Sequence, residues 1–199
     1  MAAVDDAVAA IQAGEPVVLP FDTVYGLCAT PHQEAAAFGV YRLKGRPKTM
    51  PAAIVASDLD MLFECIPELQ GRSGAIARAL LPGPYTLIFP NPARRYPWLT
   101  GERPDTIGVR VPELPRVARD VLARVGCVLA TSANRHGGSE PRRLQDVPEE
   151  IRAACGAVLD GGGLPGLPST VLDFTAPEPK IVREGAASAS KALARLPAE

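Results

Sequence analysis

Apolar positions recur at Val4, Val8 and Ile11 behind an acidic start, which places them on one side of a helix, and Gly14 supplies a stop; the pattern predicts a helix over residues 5–13. The β-like run PVVLP follows at once. Similar short runs occur at PAAIVA (51–56), YTLIFP (85–90), TIGVRVP (106–112), CVLAT (127–131), STVLDF (169–174) and KIVRE (180–184). Helical patterns lie between them, near 33–44, 58–65, 72–81, 113–125 and 143–155, with a terminal one near 188–195. Alternation of this kind predicts an α/β domain. YTLIFP and TIGVRVP follow one another without a helix, as do STVLDF and KIVRE, so some strands pair antiparallel and the sheet is expected to be mixed.

Composition sharpens this picture. The 21 prolines and 18 glycines cluster at the predicted joints (LPGP, NPARRYP, RHGGSEP, DGGGLPGLP) and form no linker, which predicts one domain over residues 1–199 and no repeat. A chain of this length buries roughly 70% of its unfolded surface without a staple. With 47% hydrophobic and 22% charged residues, it is expected to pack a core. The net charge of −1 offers no global field for nucleic acid or an anionic membrane, so any anion site must be local. The start MAAVDDAVAA lacks the basic, apolar character of a secretory signal and no apolar run reaches membrane-spanning length, which predicts a cytoplasmic protein with no membrane partner. Cys28, Cys65, Cys127 and Cys155 lack the paired spacing of a zinc site and are expected to be buried free thiols.

Five segments carry candidate chemistry. In PFDTVYGL (20–27) a strand ends in a polar pair, and Thr23 could present its hydroxyl to a ligand or merely bond nearby backbone. In YRLKGRPKTMP (41–51), Lys44 and Arg46 flank a glycine that ends a helix before Pro47; two cations on a rigid turn suit a polyphosphate, or simply complement the helix end. LATSAN (129–134) opens from an apolar strand into Ser132 and Asn134, at the strand end where open α/β sheets bind ligands, although an ordinary polar turn fits equally well. Arg110 in TIGVRVP and Arg183 in KIVREG alternate with apolar residues, which by itself places them on a solvated sheet face. There is no G-x-x-x-x-G-K-S/T, and no G-x-G-x-x-G between a strand and a helix. The run Gly161 to Gly163 offers either a flexible connector or a backbone anion nest.

Together and in this order, PFDTVYGL, KGRP, PGPYTLIF, TIGVRVP, SAN, PSTVLD and IVREG resemble the YrdC-like family of threonylcarbamoyl-AMP synthases, over about residues 16–185. The resemblance implies a twisted open mixed sheet flanked by helices around a deep basic cavity. It also implies a nucleotidyltransferase that makes threonylcarbamoyl-AMP and pyrophosphate from L-threonine, bicarbonate and ATP. By the family pattern Thr23, Arg110, Ser132 and Ser169 face threonine, while Lys44, Arg46, Met50, Thr106, Asn134, Arg142 and Arg183 face ATP, with Lys44 and Arg46 catalytic. Magnesium would arrive with ATP, without a dedicated protein metal site. The product would pass to a threonylcarbamoyl transferase acting on adenosine 37 of tRNA, making tRNA an indirect partner. The sequence departs from the pattern at Phe21, where many relatives carry a small hydroxyl residue, and at Val55, where some longer relatives carry a histidine.

Such a reaction needs cations. A carbamate oxygen must approach the α-phosphorus of ATP, and two unit anions repel by about 4 kcal/mol at about 4 Å in a medium of effective dielectric constant about 20. Lys44, Arg46 and Arg183 are therefore assigned to phosphates and Arg110 to the threonine carboxylate, with Asp22 as a candidate base for the amine. Nucleotidyl transfer leaves little covalent work to the protein, in keeping with a chain without an obvious nucleophile–base pair. An RNA-binding module and a relative that adenylates carbamoyl phosphate remain as alternatives.

Overall fold

The computed structural model describes residues 2–197. Nine strands form one sheet: β1 (Val17–Pro20), β2 (Tyr25–Ala29), β3 (Ala53–Ala56), β4 (Tyr85–Pro90), β5 (Thr106–Arg110), β6 (Cys127–Ser132), β7 (Ala157–Val158), β8 (Thr170–Asp173) and β9 (Lys180–Arg183). Their spatial order is β7-β1-β2-β6-β3-β5-β4-β8-β9. The sheet is mixed: β4 runs antiparallel to β5 and β8 to β9, as the helix-free connections predict, whereas β3 with β5 and β4 with β8 are parallel.

Among the described residues seven α-helices flank it: α1 (Ala2–Gln12), α2 (Glu34–Lys44), α3 (Leu59–Cys65), α4 (Gly71–Leu80), α5 (Arg116–Val125), α6 (Glu149–Ala153) and α7 (Ala189–Leu193). Residues alternate between the faces of each strand. Val18, Leu27, Ile54 and Leu129 join the core under α2, α3, α4, α6 and α7, while Val17, Leu19, Cys28, Val55 and Val128 pack with α1 and α5 on the opposite face. In α5, Ala118, Val121 and Leu122 are buried while Arg116, Arg119 and Arg124 face solvent, the division expected of an amphipathic helix. Arg124 also pairs with Asp5 of α1 at 2.6 Å. No helix among the described residues is long and apolar enough to cross a membrane.

Several boundaries differ from the expectation. The helix expected over 143–155 is a 3-10 turn at Leu144–Asp146 followed by α6, because Pro148 provides no N–H to continue a helix and serves instead as the cap of the next one. Pro115 likewise delays α5 to Arg116. Strand β2 carries no alternation to read, since all five positions are buried, and its Gly26 is a poor strand former. That glycine is required: a Cβ there would lie 2.1 Å from the Phe21 ring. The two-residue β7 is too short to leave a pattern.

Candidate functional site

On the face covered by α1 and α5, the strands beyond them are left open, and small side chains make a floor. Ala130 of β6 stands opposite Ala53 of β3, and Ala53 opposite Gly108 of β5. Above this floor lies a cavity of about 540 Å3, walled by the β1–β2 loop, the segment after α2, the end of β6 and the start of β8. Arg46, Arg103, Arg110 and Arg183 line it against Glu102 and Glu140. Two other depressions, of about 420 and 610 Å3, gather no such set: Asp6 and Glu15 are the ionisable groups of one, and the other sets Arg78 and Arg119 against Asp58, Asp60 and Glu113.

Arg46 is placed by the end of α2, where Gly45 adopts the left-handed conformation (φ 71°) that stops the helix and Pro47 prevents its continuation. Its guanidinium carbon lies 5.1 Å from the centroid of the Tyr41 ring; Nη1 donates to Thr131 Oγ1 at 3.1 Å and Nη2 to the Pro51 carbonyl at 2.6 Å. Its Nε is buried without a partner.

Lys44, two residues earlier, is buried and turned into the S-A-N segment. Its Nζ donates to the Ser132 carbonyl (2.6 Å) and Oγ (3.2 Å) and to the Asn134 carbonyl (3.0 Å) and Oδ1 (2.5 Å). Ser132 Oγ donates to Asn134 Oδ1 at 2.7 Å, and Asn134 Nδ2 to the Gly138 carbonyl at 2.6 Å. Lys44 thus holds the turn that carries Ser132 to the cavity wall, and Lys44 and Asn134 stand behind that wall. Burial pulls the Lys44 pKa down to about 8, with Glu140 acting to raise it and Arg46 to lower it further.

Arg110 is buried, against the reading of a solvated sheet face. Its Nη2 donates to Asp22 Oδ1 at 2.8 Å and to Thr23 Oγ1 at 3.5 Å. Arg110 Nε and Asp22 Oδ2 are both buried without partners. Desolvation raises the Asp22 carboxyl pKa and Arg110 opposes it; desolvation likewise lowers that of Arg110. Arg183 is exposed, but its guanidinium turns to Ser169, Nε donating to the carbonyl at 3.1 Å and Nη2 to the carbonyl and Oγ at 2.8 and 3.2 Å. Ser169 Oγ also meets Thr86 Oγ1 at 2.7 Å.

Thr23, Arg46, Met50, Thr106, Arg110, Ser132, Ser169 and Arg183 therefore converge on one cavity. Thr106 is buried with its hydroxyl donating to the Arg103 carbonyl at 3.0 Å, and Met50 sits 37% exposed at the mouth. Arg142 does not converge: it is exposed and its side chain lies against Gly166. Phe21 lines the cavity, whereas Val55 belongs to the core beneath α1 and α5. The Gly161 and Gly162 amides already donate to the Tyr25 hydroxyl and to Asp160 Oδ1, so two members of the supposed anion nest are occupied.

The sequence reading passed over Glu140 and Arg103. Glu140 brings a carboxylate oxygen, buried and unpartnered, to the wall, and it acts electrostatically on Lys44 and Arg183. Its signal is the RHGGSEP segment, which reads as a joint and as an unusual continuation after S-A-N. Arg103 is held by Asp173 at 2.9 Å from a loop that carries no pattern. Among the described residues no group of three or more His, Cys, Asp or Glu could hold a metal ion.

The fold has counterparts among known proteins. The chain matches the model of the Sua5/YciO/YrdC family, described as telomere recombination, over residues 9–185. It is 39% identical over 165 residues to a threonylcarbamoyl-AMP synthase of Stenotrophomonas maltophilia, covering 80% of this chain and 88% of that one. Among solved structures, P. abyssi Sua5 complexed with L-threonine superposes with a TM-score of 0.84 at 28% identity over 97% of this chain, which spans 58% of the length of that larger protein. E. coli YciO superposes at 0.76 with 28% identity, covering 93% of this chain and 90% of that one. By the extent of that match and by the sheet it shares with these structures, the chain belongs to the Sua5/YciO/YrdC family.

Proposed function

We propose that this protein is an L-threonylcarbamoyladenylate synthase, a nucleotidyltransferase that converts L-threonine, bicarbonate and MgATP to threonylcarbamoyl-AMP and pyrophosphate. The observation that carries this reading is the single cavity in which four arginines meet a buried set of short hydroxyl side chains over a floor of alanine and glycine. It is supported by the relative from S. maltophilia, a named threonylcarbamoyl-AMP synthase, and by the P. abyssi protein that binds L-threonine.

In this reading residues 1–199 act as one unit. Arg110 takes the threonine carboxylate and Asp22, its ion-pair partner, serves as the base for the amine, with Thr23, Ser132 and Ser169 setting the pose. Arg46 and Arg183 take the phosphates, Lys44 adds positive charge behind the wall while fixing Ser132 and Asn134, and Thr106 and Met50 complete the nucleotide contacts. Charge stabilisation and alignment of the carbamate oxygen with the α-phosphorus then supply the acceleration. The labile product passes to a cytoplasmic threonylcarbamoyl transferase that acts on adenosine 37 of tRNA.

The test is incubation with MgATP, labelled bicarbonate and each amino acid in turn. Threonine is expected to give a labelled adenylate and pyrophosphate, and Arg46→Ala to lose about 100-fold or more of that rate, the loss typical of removing a charge-stabilising donor. Adenylation of carbamoyl phosphate in place of any amino acid, or no adenylate at all, would overturn the reading.

A further inference from the structure

Away from the cavity, two thiols meet. Cys65 is the last residue of α3 and Cys127 the first of β6, and their sulfurs lie 3.2 Å apart. The His32 Nε2 atom stands 3.7 Å from Cys127 Sγ, and the His32 and Tyr96 rings lie 5.8 Å apart at the same place. Cys65 is 9% and Cys127 3% exposed, beneath the exposed His32 and the half-buried Tyr96. An ordinary buried cysteine behaves as a small apolar residue among carbons. This one has a second thiol, an imidazole and a phenol.

We propose that Cys65 and Cys127 form a peroxide-reactive dithiol that closes into a disulfide between α3 and β6. The sulfurs need to approach by about 1 Å to reach bonding distance. Hydrogen bonding with Cys127 and Tyr96 lowers the Cys65 pKa, although burial and Glu64 oppose it, while the same Cys65–Cys127 bond and burial push Cys127 up. Cys65, the more acidic of the pair and the more exposed, is thus the attacking sulfur and Cys127 the thiol that resolves it. Burial instead raises Cys28 well above its ordinary value and Cys155 to about 12, which keeps both protonated.

The step balances with a peroxide as oxidant. Cys65 gives up its thiol proton as its sulfur attacks one peroxide oxygen, an S–O bond forms as the O–O bond breaks, and the departing oxygen takes that proton to leave as an alcohol or water. Cys127 then gives its proton to His32 Nε2 and attacks the Cys65 sulfur. The S–S bond forms as the S–O bond breaks, and the hydroxide leaves as water with that proton. Two thiols are oxidised and one peroxide is reduced. The pair lies at the opposite end of β6 from Ser132, so the bond forms without entering the cavity.

Treating the folded protein with hydrogen peroxide, quenching, denaturing and counting thiols is expected to show four falling to two. Non-reducing peptide mapping should then show one cross-link, Cys65 to Cys127. The doubly substituted Cys28→Ser, Cys155→Ser protein should form the same link, which excludes the other thiols as donors. Retention of all four thiols, a link through Cys155, or sulfinic acid at Cys65 without a cross-link would each overturn the proposal.

Discussion

Lys44 gives up the hydration an ammonium has in water and receives four oxygens in return, two from Ser132 and two from Asn134. Burial still leaves its folded pKa at about 8, below the ordinary 10.5. The charged form therefore dominates below about pH 8 and is lost above it. Because the unfolded chain keeps this proton up to about 10.5, the Lys44 contribution to stability rises with pH across that window. Function runs the other way: kcat/KM for ATP is expected to fall as pH rises through about 8, and competitive acetylation of Lys44 should reach half its limiting rate at the same point. A profile for both that stays flat to pH 10 would remove Lys44 from the charge balance of the site. Lys44 and Arg46 were legible as a basic pair beside a helix stop, but the sequence held nothing to say that one side chain would turn inward to a strand 88 residues away while its neighbour turned to the cavity.

At the level of elements, the wall carrying Ser169 depends on a close backbone approach. Gly185 N donates to Thr170 Oγ1 at 3.0 Å and Ala186 N to the Pro168 carbonyl at 2.8 Å, so the segment after β9 is fastened to the start of β8. A Cβ on Gly185 would lie 2.2 Å from the Pro168 carbonyl oxygen and 2.6 Å from the Ser169 carbonyl carbon, and backbone cannot rotate out of its way. Gly185→Ala is therefore expected to destabilise the protein by about 2 kcal/mol, the scale of overpacking a tight site, and to lower kcat/KM for threonine through displacement of Ser169. A denaturant midpoint and steady-state kinetics check the two effects separately. Elements with a strong period or clear punctuation, such as α1, α2 and the β4–β5 pair, were readable because the signal is local. Strand β2 was not, because burial on both faces erases alternation, and Pro148 divided a helix whose apolar spacing ran on unbroken.

Across the whole molecule, carboxylates set the acid limit. Asp58 is held below its ordinary range by the Met61 N–H, Glu68 by Arg95, Glu150 by Arg135 and Asp160 by the Gly162 N–H and Tyr25. A depressed folded pKa contributes stability that is complete above the unfolded value and is lost as pH falls through the folded one. Asp22, raised by burial, has the opposite sign and offsets part of this. These pairs are exposed and individually weak, so a graded decline in thermal midpoint below about pH 4 is expected, steeper at low salt, and a midpoint independent of pH there would contradict it. At this scale, the sequence by itself determined the α/β class, the mixed pairing and the order of the motifs, because turn residues and apolar periods act over a few positions. Only tertiary structure decided that Ala130, Ala53 and Gly108 of three strands would align into a floor, that Arg110 would be buried on Asp22, and that Cys65 would meet Cys127. Those outcomes depend on strand register and on contacts between distant segments, which a local pattern does not record.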